Sequence, residues 1–278
     1  MVPAVPPYFD FLIEAFRRGE TGRFVHLGHW DLAEGFDPDA PPGPDEFARA
    51  QDRLNAYLLD MAALRPRQGV LDVGCGFGGT LDAVNRHLSD MELVGINIDS
   101  RQLDVCRQIA ARNGNRFRWE QADACLLPFA DASFDRILCV EAMFHFNSRR
   151  AFLREAARVL KPGGMLVASD IALTPSGRRL QADDPRIREN LLSVYGPWPD
   201  FAGEDADHRA LADAAGLRVG EILDATRNTL RSHRFTVPSA FDRGEHAGNA
   251  ALRAAAMLRQ LHRGGHLQYL YMRMDKPA

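Results

Sequence analysis

Apolar residues at helical spacing mark residues 5–18 (VPPYFDFLIEAFRR) and Glu46–Ala63 as amphipathic helices, with the proline-rich turn DPDAPPGP between them. From Gly69 the texture changes. GVLDVG reads as a short buried strand, and GFGGTLDAVNRHL as a loop opening into a helix. MELVGINI, RFRWEQAD, FDRILCVEAMF and MLVASDIAL read as further strands, separated by the helical runs DSRQLDVCRQIAARNG and SRRAFLREAARVLKPGG. Strands that alternate with helices predict βαβ units and a parallel sheet. After Leu173 the rhythm breaks into a helix-like stretch and the aromatic-proline segment VYGPWPDF, then resumes with DHRALADAAGL (helix) and RVGEILDA (strand). A helical insertion, NAALRAAAMLRQLHRGG, precedes a last strand, HLQYLYMRM. The expected organisation is an N-terminal helical lid over residues 1–66. One α/β sheet core follows over 67–278, with cover insertions at about 174–204 and 227–265.

Composition narrows the class. A chain of 278 residues with 46% hydrophobic and 26% charged residues is an ordinary globular protein, not a disordered or disulfide-scaffold one. No run approaches the roughly 18 apolar residues of a membrane span, and the N-terminus lacks the basic and apolar regions of a secretory signal, so a cytoplasmic protein is expected. The net charge of −3 is spread along the chain without a basic stripe. Nucleic acid and anionic membrane, which need a concentrated positive field, are therefore not expected partners. Cys75, Cys106, Cys125 and Cys139 form no CxxC pair, so neither a zinc site nor a disulfide is expected. His26 and His29 lack a third ligand in register, and no metal is expected.

The chemistry concentrates at Gly74-Cys75-Gly76-Phe77-Gly78-Gly79, between a strand and a helix. Such a loop lets backbone approach a ligand closely and aims helix N–H groups at it. Gly74, Gly76 and Gly79 fit GxGxxG, which raises a dinucleotide site. Three features argue against it. Asp72 stands where a dinucleotide strand buries an apolar side chain, and a buried carboxylate suits a cationic ligand better than a pyrophosphate. The strand also lies behind two helices rather than opening the fold. Finally, Asp123-Ala124 and Glu141 add polar groups at the carboxyl ends of later strands, where open α/β sheets bind ligands.

The run LDVGCGFGG, GINIDSRQL, ADACLLPF, FDRILCVEAMFHF and REAARVLKPGGMLVASD resembles the class I S-adenosylmethionine-dependent methyltransferases, in correct order over about residues 67–172. Within them it is similar to the group that methylates natural products, sugars and related small metabolites. The resemblance implies a Rossmann-like, mostly parallel sheet with an antiparallel last strand. It also implies S-adenosylmethionine as donor, S-adenosylhomocysteine as product and a small-molecule acceptor. It places Gly74, Cys75 and Gly76 against the methionine part, Asp72 near its amino group, and Asp123 and Ala124 on the adenine edge. The ribose position, acidic in most relatives, is Asn97 here, followed by Ile98 and Asp99, with Gln102 one turn into the next helix. Asn97 and Asp99 both stand as ribose contacts. Gln102 is read either as joining them or as solvent-facing, and Asp123 either as the adenine contact or as a turn cap.

The acceptor side carries fewer signals. His26-Leu27-Gly28-His29-Trp30 resembles a lid segment, with Trp30 facing the sulfonium or packing the first helices, and His29 on the acceptor. The resemblance makes His145 the general base and Asp170 its orienting carboxylate, with Glu141 beside the donor. The plain reading of His145 is packing between Phe144 and Phe146. Tyr195, Trp198 and Phe201, in the stretch YGPWPDF, and the segment Arg231–Phe235 (RSHRF) line an aromatic acceptor pocket or form lid core. The function so read is O-methylation of a natural-product hydroxyl. The alternatives are C-methylation of a prenyl or polyketide carbon, aided by Glu141, Trp198 and Phe201, and a S-adenosylmethionine-binding fold doing non-methylating chemistry such as a pericyclase.

Overall fold

The computed structural model describes residues 5–33, 36–40, 43, 45–196, 205–237 and 249–278. Trp198 and Phe201 lie outside the described residues. The chain runs α1 (Tyr8–Arg17), α2 (Glu46–Ala62), β1 (Gly69–Val73), α3 (Gly79–His87), β2 (Glu92–Asn97), α4 (Ser100–Cys106), β3 (Arg116–Gln121) and β4 (Phe134–Val140). It continues through α5 (Arg149–Val159), β5 (Leu160–Leu173), α6 (Pro175–Asp183), α7 (Pro185–Tyr195), α8 (Asp205–Ala214) and β6 (Arg218–Asp224). The short helices α9 (Thr226–Thr229) and α10 (His233–Thr236), then α11 (Ala250–Arg263) and β7 (Leu267–Asp275), complete it.

The strands form one sheet of order β3-β2-β1-β4-β5-β7-β6. β1 to β5 pair in parallel, whereas β7 runs antiparallel to both β5 and β6. This is the mixed Rossmann-like sheet with an antiparallel last strand that the motif order predicts. Its hydrophobic logic follows the strand period of two. Leu71 and Val73 join Ile137, Cys139, Leu166 and Ala168 on one face, under Phe152 and Leu153 of α5 and Leu211 of α8. Val70, Leu138 and Val167 face the other way, against Leu54 and Leu58 of α2 and Leu81 and Val84 of α3. Both faces are covered, which is why these strands read as near-continuous apolar runs.

Two elements differ from the sequence pattern. The run after Ser100 stays helical only to Cys106. Beyond it, Asn85 of α3 donates to Ala110 O and accepts from Arg112 N, so tertiary contacts hold backbone groups that a longer helix would have paired. β4 ends at Val140, and Met143–His145 form a 3-10 turn. No described helix is long and apolar enough to cross a membrane. All four cysteines are free thiols.

Candidate functional site

The carboxyl ends of β1 to β4 open into one cavity of about 890 Å³. The strand order reverses between β1 and β4, the position at which open α/β sheets bind ligands. Of the sequence-predicted residues, Asp72, Gly74, Cys75, Gly76, Asn97, Ile98, Gln102, Asp123, Ala124, Glu141, His145 and Tyr195 all line it.

The β1 end is built from backbone. Gly74 N and Cys75 N both donate to Ile96 O, at 2.9 and 3.0 Å, tying the glycine loop to β2. Gly74 takes φ +77°, and a Cβ there would come within 2.5 Å of Ala142 Cβ, so both dihedral and space require glycine. Asp72 is 2% exposed and has no protein hydrogen-bond or ion-pair partner among the described residues. Burial pushes its pKa from 3.8 up to about 7. A carboxylate so placed needs a cation, which none of the described residues supplies.

At the β2 end the side chains lock one another. Asn97 Oδ1 accepts from Asp99 N and Asn97 Nδ2 donates to Gln102 Oε1. Gln102 is buried, which corrects the solvent-facing reading, and its Nε2 is a buried donor without a protein partner. Asp99 does not line the cavity; it caps α4 by accepting from Arg101 N and pairs with the Arg101 guanidinium at 2.8 Å. At the β3 end Asp123 lines the cavity while accepting from Cys125 N at 2.8 Å, so it is also the cap of its own turn.

Glu141, just past β4, adopts φ +48°, a left-handed conformation that is strained for a non-glycine residue. Its Oε1 accepts from Leu27 N at 2.6 Å and from the Tyr269 hydroxyl at 2.5 Å, which joins the N-terminal segment to β7. Burial is the main reason its pKa rises to about 7.

His145 closes the 3-10 turn after β4. Its Nδ1 bonds the Tyr195 carbonyl, which can only accept, so Nδ1 carries the proton and Nε2 carries the lone pair. Nε2 accepts from the Tyr8 hydroxyl at 2.8 Å. Burial lowers the imidazole pKa from 6.5 to about 4, which leaves it neutral at physiological pH. Phe144 packs 4.0 Å from its ring and Phe9 meets it edge-on at 5.9 Å, whereas Phe146 turns into the core against Phe152, so the ring does not sit between Phe144 and Phe146.

Three sequence assignments are corrected. Asp170 does not orient His145: it is fully buried, its Oδ2 lies 2.7 Å from Arg149 Nε, and it does not line the cavity. Trp30 does not face the cavity either. It stacks on Phe235 at 5.7 Å, donates to Ser232 Oγ at 3.1 Å and lies under Arg231, so packing of the cover decides its place. His29 bonds the Tyr271 hydroxyl at 2.9 Å and Asn228 at 3.2 Å and is not a cavity residue. His233 and Phe235, from the segment Arg231–Phe235, also line the cavity, whereas Tyr8, His26, Tyr269 and His262 line it and were missed. His26 belongs to the lid-like segment His26–Trp30, where no cavity role was read for it, and Tyr8 reads as one more position of an amphipathic helix.

A sequence profile described as "Methyltransferase domain" matches residues 71–168. The chain is 37% identical over 244 residues to "Methyltransferase GfsG" of Streptomyces halstedii, covering 86% of this chain and 81% of that protein. It is 30% identical over 251 residues to an "O-methyltransferase" of Pyrenophora dematioidea, covering 88% of this chain and 86% of that protein. Among solved structures, the [4+2]-cyclase SpnF superposes with a TM-score of 0.73 at 20% identity, covering 100% of this chain and 98% of that one. That last likeness concerns the fold.

Proposed function

This chain belongs to the S-adenosylmethionine-dependent methyltransferases, and from that premise we propose that it methylates a hydroxyl of a small, largely apolar natural-product metabolite. The observation that carries this reading is His145. It is a neutral imidazole in the cavity wall with one fixed lone pair at Nε2, and a hydroxyl already stands 2.8 Å from it. The Tyr8 phenol occupies the place that the acceptor's hydroxyl takes. S-adenosylmethionine, when bound, supplies the electrophilic methyl group.

The residues present suit that donor. The buried, uncompensated Asp72 carboxylate matches its amino group, and the unpartnered Gln102 Nε2 is a donor for a ribose hydroxyl. Asn97 acts by aiming Gln102. Backbone at Gly74, Cys75 and Gly76 lies along the methionine part, with Asp123 and Ala124 at the adenine. His145 Nε2 takes the proton from the acceptor's hydroxyl, and the Tyr195 carbonyl on Nδ1 favours the resulting imidazolium. Glu141 holds the N-terminal segment closed and helps exclude water.

Among the described lining residues Arg23 is the one arginine or lysine, and its Nη1 donates to Phe77 O at 2.9 Å. A cavity so poor in cations favours a neutral acceptor over a prenyl diphosphate. Incubation with methyl-labelled donor and a panel of hydroxylated natural products should yield methyl ethers, identified by product mass and NMR. Label on carbon, or donor binding without transfer to any acceptor, would sink the reading.

Two cofactor-side results are expected. Asp72→Asn should weaken donor binding roughly ten- to a hundredfold, the range of a hydrogen bond to a charged group. It should also stabilise the unliganded protein above pH 7 and not below pH 4. The folded carboxyl keeps its proton up to about pH 7, while the unfolded one loses it near 4, so stability is lost as pH rises across that window. Calorimetry and denaturant unfolding at two pH values check both parts. Gln102→Ala should cost about 1 kcal/mol of donor affinity, one neutral hydrogen bond. An unchanged dissociation constant would move the ribose contact elsewhere.

A further inference from the structure

The cavity has two halves, set by the sheet. Asp72 and Asn97 lie at the carboxyl ends of β1 and β2, and Asp123 follows β3, on one side of the switch point. On the other side, over β4, β5 and the start of β7, the wall comes from cover segments: the N-terminal end of α1, α7, α10 and α11. Phe235, Leu252, Ala255, Leu258 and Leu267 make that half apolar. Among the polar side chains that interrupt it are His233 of α10 and His262 of α11, which meet ring edge to ring face at 5.1 Å between centroids.

Their hydrogen bonds run in one direction. His262 Nε2 lies 2.8 Å from the Thr226 carbonyl, which can only accept, so His262 carries its proton on Nε2 and accepts at Nδ1. His233 Nε2, 2.9 Å from that Nδ1, must therefore be the donor. The chain leaves a lone pair on His233 Nδ1. The Thr236 hydroxyl, also in the cavity wall, is its sole described partner, at 3.5 Å, beyond the usual length of a full bond. Burial, with the neighbouring His262 and Arg259 opposing a second positive charge there, lowers the His233 pKa, so the ring stays neutral and offers nothing to a carboxylate or phosphate.

We propose that His233, held by His262, is a second polar anchor of the acceptor subsite, which accepts a hydrogen bond from a neutral hydroxyl or N–H on the acceptor, far from the group that is methylated. The acceptor class is then an apolar framework with at least two hydrogen-bond donors, one read by His145 and one by His233. This rests on the reading of that half of the cavity as the acceptor site.

The test uses estradiol and estrone, rigid apolar phenols whose far ends differ by a hydroxyl donor against a ketone. Binding is measured by calorimetry on the full chain saturated with S-adenosylhomocysteine, and the histidine ring nitrogens are followed by NMR. Estradiol is expected to bind roughly tenfold tighter than estrone, the worth of one buried hydrogen bond, and to shift the His233 Nδ1 resonance. His233→Phe should bring estradiol down to the estrone value without changing estrone, and His233→Gln, which keeps an acceptor oxygen and an N–H, should restore part of the difference. Equal affinities, a preference that survives His233→Phe, or binding of neither steroid overturns the inference. Preferential binding with the His233 shift, but no methyl transfer to any acceptor, would instead leave the subsite standing and remove the proposed function.

Discussion

Replacing His145 with alanine lowers the methyl-transfer rate by roughly 10²–10⁴, the usual share of a general base, and leaves donor affinity unchanged. The reason is geometric. His145 is a cavity residue with its lone pair directed by a second bond, and its Nδ1 proton is committed to the Tyr195 carbonyl. The pH profile separates this role from packing. Protonated imidazole cannot accept the acceptor's proton, and burial moves that protonation from 6.5 down to about 4. The His145-dependent limb of the rate therefore rises with pH near 4, not near 6.5, and disappears in the His145→Ala enzyme. A limb that persists near pH 7 in both proteins belongs to Glu141 or Asp72, which burial pushes up to about 7. The same shift has a stability consequence of known sign. The unfolded chain binds a proton at this imidazole near pH 6.5 and the folded chain only near 4, so the stability His145 contributes is present above 6.5 and lost as pH falls toward 4. An enzyme that keeps most of its turnover without His145 would leave the ring as packing against Phe144 and favour attack by carbon.

Asp170→Asn produces the opposite kind of defect, a loss of stability of about 3 kcal/mol with the pH profile of turnover unchanged. Asp170 and Arg149 are 0% and 2% exposed in their side chains and meet at 2.7 Å. Arg149 Nη2 also donates to Ile171 O, so the guanidinium cannot turn away to water. Removing the carboxylate's charge takes the Asp170 counter-ion away from a buried guanidinium, and that lost pairing is what costs stability. Denaturant unfolding of the wild type and the variant reads the loss directly. Replacing both residues with apolar side chains of similar volume should recover most of it, since a buried ion pair is worth little against good packing. A hundredfold fall in turnover at unaltered stability would return Asp170 to the role of orienting carboxylate.

The fold and half of the site were legible because their signals are local. Each strand of β1 to β4 is a short apolar run, and the residues after it face the carboxyl edge of the sheet whatever the rest of the chain does. Gly74, Asn97, Asp123 and Glu141 thus reach one cavity as a consequence of parallel βαβ units alone. The alternation in β1 even singles out Asp72 as a carboxylate on a buried face. Gln102 was legible as a position but not as a state, since its burial comes from the lock with Asn97.

By itself, then, the sequence determined the sheet, its switch point and the residues that reach the cavity from the ends of β1 to β4, because those follow from neighbours within single strand-helix turns. The tertiary structure alone decided which partners the acceptor-side residues take. His145 meets Tyr8 across 137 residues of chain, and His233 meets His262 across 29. Asp170 had two candidate partners, and α5 delivers Arg149 to it first. Trp30 and His29 carry the right chemistry for the site, yet Phe235, Ser232 and Tyr271 draw them into the packed cover. These outcomes depend on where helices without motifs settle on the sheet, and that is fixed by the summed burial of many apolar side chains rather than by any local pattern.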